Sequence, residues 1–317
     1  LVAGDVFDTY MPSAEAEEIF YSSVKNIAST CAVLIISGNH DDYVRLTAAQ
    51  ALSEELNIYT VGNNLKALDC KKRGNCYPVQ SEGGYAVFEN IAGERVYINS
   101  LPYPNEARFK EGKSDESFAD KMKRWIDYGE RGKEEGMPSV FLSHIFAAGG
   151  KAGDSEREID LGGARAVGSD LFPKCDYSAL GHLHRRQKLG ENIYYSGAIM
   201  RFTFDETGQD KSINVFDLTK EGVKNFKTVQ LTACRQLARL QANSVEDGLK
   251  LLNDNAKAIA ELTLNLKTPL SPSELSELRA CENLYSLKMS VASELSAGYA
   301  AENAGKSSSQ LFSEYYS

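Results

Sequence analysis

Cys31-Ala32-Val33-Leu34-Ile35-Ile36-Ser37-Gly38-Asn39-His40-Asp41 decides how this chain is read. Its first half is a short, uninterrupted apolar run rich in β-branched residues, the pattern of a strand buried on both faces of a sheet. Its second half turns at once to residue types that ligate metals or move protons. The same construction recurs three times. Leu1-Val2-Ala3 runs into Gly4-Asp5-Val6-Phe7-Asp8, Phe141-Leu142-Ser143 into His144, and Ser178-Ala179-Leu180 into Gly181-His182-Leu183-His184. In open α/β sheets, sites assemble at the carboxyl ends of strands, so these four loops are expected to converge. All 4 histidines lie in them. Taken singly, His144 reads as an ordinary core or surface histidine, and Gly38-Asn39 or Gly4-Asp5 as turn dipeptides. Independently scattered histidines, however, would not fall only in strand-exit loops in the order Asp, Asn-His, His, His-x-His.

Working outward, residues 14–29 read as an amphipathic helix with Phe20, Val24 and Ile27 at helical spacing and Glu15, Glu17 and Glu18 near its positive end. A helix at about 43–56 and a strand at 58–61 come next. Residues 64–103 read as antiparallel hairpins, with alternation in 85–88 and 96–98. The charged segment 104–136 reads as a mostly helical, solvated surface. Strands at 139–143 and 176–180 flank a long Gly-rich loop. After about residue 234 the texture becomes a compact strand–helix–strand–helix–strand alternation, with a helix start at Ser271-Pro272-Ser273. The expected organisation is a core over 1–234, a small βαβαβ domain over 235–296, and a linker at 297–317 leading into a partner-binding tail.

Composition closes several alternatives. In 317 residues, 42% are hydrophobic and 25% charged, which is ordinary globular usage and excludes collagen-like and disordered chains. No apolar stretch approaches the roughly 18 residues of a membrane span. The net charge of −9 argues against binding nucleic acid through bulk positive charge. Two bound metal ions would reverse that locally, at one cleft. Six cysteines without dense spacing read as reduced thiols in a cytoplasmic protein, and Cys70 and Cys76 as incidental. The basic run His184-Arg185-Arg186-Gln187-Lys188, with Lys151, Arg157 and Arg165, reads equally as a phosphate-holding patch or as ordinary charged surface.

The ligand types are Asp oxygen, Asn amide oxygen and imidazole nitrogen, a set that suits Mn²⁺, Fe²⁺ or Zn²⁺ and not a thiolate structural site. In an extended His182-Leu183-His184 both rings would point the same way, toward two adjacent metals. An Asp with two oxygens is the natural bridge between metals about 3.5–4 Å apart, an arrangement suited to hydrolysing a phosphodiester.

These motifs, GD-x-x-D, GNHD, a lone strand-end His and GH-x-H, resemble those of the calcineurin-like metallophosphoesterase superfamily. Within it the SbcD branch, the nuclease subunits of bacterial SbcCD complexes, is the nearer match. Beyond the metal motifs, the stretches that resemble it are Gly4–Thr9, Asp154-Ser155-Glu156-Arg157, Asp176–His184 (DYSALGHLH), Tyr195-Ser196-Gly197-Ala198 and Thr203-Phe204-Asp205-Glu206, together with the small domain, which looks like the branch's capping domain. The resemblance implies an α/β sandwich of mixed sheets flanked by helices. It also implies that Asp5, Asn39, His144 and His182 form one metal site, that His184 joins Asp5 at a second, and that His40 is the catalytic residue, acting as acid or stabilising the charge that develops on the phosphate and leaving oxygen. Two Mn²⁺ ions are the implied cofactor, with Mg²⁺, Fe²⁺ or Zn²⁺ as weaker candidates. DNA, an SbcC-type coiled-coil ATPase and a second copy of the chain are the implied partners. The implied activity is ATP-dependent 3'-5' exonuclease action on duplex DNA and endonuclease action on single strands and hairpins. The alternatives are a small-nucleotide phosphodiesterase or phosphatase of the same superfamily and a non-catalytic scaffold. The branch's first motif, an Asp-x-His one βα unit upstream of GD-x-x-D, is not found between Leu1 and Ser317. The chain is therefore expected to be N-terminally truncated, to bind about one metal and to be poorly active in this form.

Overall fold

The computed structural model describes residues 1–112, 115–153 and 165–291; the Asp154–Arg157 loop and the 297–317 stretch lie outside them. The chain divides into two compact units, Leu1–Met200 with Gln209–Thr232, and Arg201–Gly208 with the chain from Ala233 on.

The first unit is built on two sheets. One is parallel and short, with β1 (Val2–Ala3) against β2 (Val33–Ile36) and β2 against β3 (Ile58–Val61). The other contains β4 (Cys76–Glu82), β5 (Tyr85–Asn90), β6 (Arg95–Leu101), β7 (Ser139–His144), β8 (Tyr177–Gly181), β9 (Gln187–Lys188) and β10 (Ile193–Tyr195), in the spatial order 4-5-6-7-8-10-9. It is antiparallel from β4 to β6 and parallel from β6 through β7 and β8 to β10. The sheets face one another: Leu34, Ile36, Tyr59 and Val61 of the first share a core with Ala86, Phe88, Ile98 and Leu142 of the second. The opposite face of the first sheet (Val33, Ile35, Ile58) is covered by Phe20 and Val24 of α1 (Ala14–Ala28). The opposite face of the second (Leu101, Phe141, Leu180, Tyr195) is covered by Met122, Trp125 and Ile126 of α4 (Phe118–Glu130). The continuous apolar reading of β2 has its explanation here, since all four residues are buried, two toward each layer. This is the expected sandwich of mixed sheets flanked by helices.

The elements between 43 and 136 differ from the sequence reading in three places. The helix expected at 43–56 is two short ones, α2 (Tyr43–Leu46) and α3 (Gln50–Glu55). Thr47, between them, turns its hydroxyl back to the Tyr43 carbonyl (2.9 Å), a local bond that competes with continuing the helix. The hairpins begin only at β4, since 64–75 contains no strand. Finally, 104–136 is not a solvated surface. Phe109, Met122, Trp125 and Ile126 are core residues, and the charges that dominate the composition pair on the outer side, as in Lys123–Asp127 (2.7 Å) and Arg124–Glu111 (2.7 Å). Charge count masked an amphipathic stripe.

The second unit carries β11 (Leu237–Ala242), α5 (Val245–Asp254), β12 (Ile259–Leu266), α6 (Pro272–Arg279) and β13 (Leu284–Val291), an all-parallel sheet with β12 central. Leu252, Leu262, Leu264 and Leu278 form its core. The Ser271 start signal is a full capping box: its hydroxyl accepts from the Glu274 N–H, the Glu274 carboxylate accepts from the Ser271 N–H, and Pro272 opens the helix. Arg201–Gly208, which includes the TFDE stretch, groups with this unit and is tied to it by the Asp205–Arg239 ion pair (2.6 Å).

Candidate metal centre

Each of the four loops leaves the carboxyl end of a parallel strand: Asp5 after β1, Asn39 after β2, His144 at the end of β7 and His182 after β8. Ligand atoms of Asp5, His144 and His182 all lie within 4.8 Å of one another. His144 Nε2 is 3.1 Å from Asp5 Oδ2 and 2.9 Å from Asn39 Oδ1, and His182 Nδ1 is 3.1 Å from the same Asn39 oxygen. Four side chains from four separate strand ends therefore share one small volume.

The donor set fits a cation. His144 Nδ1–H donates to the Ala3 carbonyl (2.6 Å), which fixes the tautomer and leaves Nε2 with its lone pair toward Asp5 and Asn39. A carboxylate oxygen, an amide oxygen and an imidazole lone pair are all acceptors, and a positive charge among them reconciles their closeness. Protonation answers the same need. Burial works against charge on His144, yet the neighbouring Asp5 carboxylate raises its pKa. Burial likewise opposes charge on Asp5, but His144 and the His40 N–H hold its carboxyl well below the usual carboxylate range.

The backbone is built around this cluster. Gly4 is left-handed (φ 87°), and Gly38 lies so close to Asp5 that a Cβ there would collide with its carboxylate and its backbone nitrogen. Asp5 (φ 49°) and His182 (φ 101°) are two of the five non-glycine residues with positive φ among those described. Such strain, of order 1–3 kcal/mol each, persists only where the surroundings enforce it, and it clusters at functional sites. The bend at His182 also removes the basis for expecting both rings of His182-Leu183-His184 on one side: β8 ends at Gly181, and Leu183 turns into the core.

His40 lies beside the cluster. Its N–H donates to Asp5 Oδ1 (2.9 Å), and its ring Nδ1 donates to the Asp8 carbonyl (2.8 Å), which orients the ring. Asp41 is the staple between loops: Oδ2 accepts from the Gly38 (2.7 Å) and Val6 (3.2 Å) N–H groups and Oδ1 from Phe7 (3.1 Å). His184 is not among the mutually close ligand atoms. Its loop is fixed through the backbone, the His184 carbonyl accepting from Ala198 N–H (3.0 Å) and Lys211 Nζ (3.1 Å). Gly197 of the YSGA stretch lets the backbones meet there, since a Cβ would lie 2.6 Å from that carbonyl. Of the basic residues, Arg186 reaches the Thr228 hydroxyl (2.8 Å) and Lys188 lies over the Tyr194 ring; Arg157 is outside the described residues.

No protein-family model matches the chain. It is similar to the SbcD nuclease of the SbcCD complex of Bacillus subtilis (strain 168), at 33% identity over 297 residues, 88% of this chain and 72% of that protein. The chain belongs to the SbcD nuclease family. The SbcD proteins of Staphylococcus epidermidis (26% identity, 80% of this chain, 65% of that protein) and Rhodobacter capsulatus (30% identity, 69% and 56%) are also similar. The chain thus spans between 56% and 72% of the length of these relatives.

One residue of this SbcD-type site escaped the sequence reading. Arg108 is buried, 6% exposed, and its guanidinium donates to the carbonyls of Gly38 (2.7 Å), Asp41 (2.9 Å) and Asn39 (3.4 Å). A lone arginine in a charged segment carries no local signal of such a role.

Proposed function

We propose that this chain is the nuclease component of a cytoplasmic SbcCD-type complex and hydrolyses DNA phosphodiester bonds. The observation that carries the proposal is the convergence of Asp5, Asn39, His144 and His182 on one point with His40 alongside, in a member of a nuclease family. These four side chains would hold one divalent ion, Mn²⁺ by preference, and His184 with Asp5 would contribute to a second. Bound there, such ions supply Lewis-acid neutralisation of the phosphoryl charge. The chain's own residues do the rest. Asp5 is half-buried, and His144 and the His40 N–H favour its ionised carboxylate, which carries two acceptor oxygens. Asp8, through its carbonyl, fixes the His40 ring so that Nε2 can hold a proton toward the leaving oxygen of the broken ester. Asp41 keeps the Asp5 and His40 loops in register. A homodimer working with a coiled-coil ATPase, cutting duplex ends as an exonuclease and hairpins or single strands as an endonuclease, is the assembly proposed.

The test is cleavage of a hairpin oligonucleotide against bis-p-nitrophenyl phosphate in Mn²⁺, using protein expressed from the whole open reading frame. DNA cleavage abolished by His40→Ala and by chelator supports the proposal. A His40→Ala protein that cleaves hairpins at the parent rate overturns it.

A further inference from the structure

We infer that Arg108 is the positioning residue that sets the catalytic loop, holding His40 at the reacting phosphate. The inference rests on the nuclease reading of the site. Arg108 comes after β6, on the second sheet, yet its side chain reaches the loop after β2, on the first. One nitrogen, Nη1, donates to Gly38 O (2.7 Å) and lies 3.4 Å from Ser37 Oγ. The other, Nη2, donates to Asp41 O (2.9 Å), lies 3.4 Å from Asn39 O and 3.5 Å from the Tyr10 hydroxyl of the first loop. The guanidinium is flanked by the rings of Tyr43 (5.5 Å) and Tyr103 (5.2 Å). Among the described residues it forms no ion pair with a carboxylate, although a buried charge ordinarily requires one. Its compensation is the loop's own carbonyls.

This arrangement sorts the loop by polarity. The carbonyls of Gly38, Asn39 and Asp41 turn toward Arg108, while the N–H groups of Gly38 and His40 turn toward the Asp41 and Asp5 carboxylates. His40 lies between two carbonyls that the same planar fork grips, so its backbone has little freedom to rotate. Lysine has the charge but not the fork; an ammonium is a point donor and does not span three carbonyls in one plane. Substrate contact is a poor role for Arg108, because both Nη groups are already directed at carbonyls and the side chain is buried.

The experiment uses Arg108→Lys and Arg108→Gln in protein from the whole open reading frame, with Tyr43→Leu as a milder perturbation of the same guanidinium. Displacing a catalytic group by about 1 Å costs roughly 10²-fold. The expected result is therefore a 10- to 100-fold fall in kcat on hairpin DNA with KM within about threefold, and about threefold for Tyr43→Leu. Hydrolysis of bis-p-nitrophenyl phosphate, whose leaving group needs little protonation, is expected to fall clearly less than hairpin cleavage, any loss there reporting a loosened Asn39 on the same loop. Combining either Arg108 variant with His40→Ala should bring no further loss. In metal-free protein, amide exchange at residues 39–41 should accelerate, while the fluorescence of Trp125 reports an intact core. Arg108→Lys kinetics within twofold of the parent, equal losses on both substrates, or unchanged exchange at 39–41 overturn the inference. If His40→Ala itself leaves hairpin cleavage intact, the nuclease reading is what fails, and the exchange measurement alone then decides whether Arg108 holds the loop.

Discussion

Replacing Asp41 with Asn changes one atom at a place where geometry permits a worked estimate. The Asp41 carboxylate is buried and accepts three backbone N–H bonds, two on Oδ2 and one on Oδ1. An Asn amide has one acceptor oxygen. In its better orientation it retains the Gly38 and Val6 bonds and directs its NH₂ at the Phe7 N–H, donor against donor. One charge-assisted bond is lost, about 1.5–3 kcal/mol, and the two retained ones weaken by about 0.5–1 kcal/mol each as the charge disappears. Against this, burial pushes the Asp41 carboxyl up, so removing the charge returns some desolvation cost. A net loss of about 2–4 kcal/mol results, or roughly 4–16 °C in the melting temperature of a domain this size. Denaturant unfolding followed by Trp125 fluorescence measures it. A metal titration alongside should show weaker binding, because the stapled loops carry Asp5 and Asn39. An Asn variant within about 1 kcal/mol of the parent would refute the staple, and so would undiminished metal affinity.

The same physics sets four further expectations. Gly38→Ala places a methyl group against the Asp5 carboxylate and should abolish metal binding in calorimetry while the protein still unfolds cooperatively. His182→Gly relieves a left-handed backbone worth of order 1–3 kcal/mol, so the melting temperature of the metal-free protein should hold or rise while Mn²⁺ affinity falls. Trp125→Ala empties a core position next to Phe109 and removes the indole N–H bond to Glu111 (2.7 Å), whose carboxylate keeps its Arg124 partner; a loss of about 3–5 kcal/mol should appear in circular-dichroism melts. Lys288 (2.7 Å) and Arg239 (2.9 Å) hold the Glu261 carboxyl below its ordinary value, which adds stability above the unfolded-state pKa that is lost as pH falls through the folded one. The second unit's unfolding midpoint should therefore drop as pH is lowered below about 4.3, and Glu261→Gln should flatten that dependence.

Most of the strands and the metal cluster were legible because they are local. A buried strand declares itself in a run such as Val33–Ile36, and a ligand loop declares itself by the polar residues directly after that run. That the loops carrying Asp5, Asn39, His144 and His182 meet followed from the rule that strand ends converge, whereas the choice of these four as ligands came from the family resemblance. The hidden features depend on partners distant in sequence. Arg108 becomes intelligible only when the loop 70 residues before it lies alongside. The helical stripe of Met122, Trp125 and Ile126 was masked because composition averages the faces of a helix that folding separates. The bend at His182 is a backbone choice that no side-chain alternation encodes.

The position of the cluster has a consequence for how the molecule matures. Asp5 and Asn39 come from the three-stranded sheet, and His144 and His182 from the seven-stranded one, so the centre is a seam closed only when both layers have docked. Neither layer alone carries enough ligands to retain an ion. During synthesis β1 and β2 emerge long before β7 and β8, and chain already made must wait for chain still to come. On the function proposed above, metal capture would be a late step that rewards finished molecules, and a chain that stalls half-assembled would lack a complete centre.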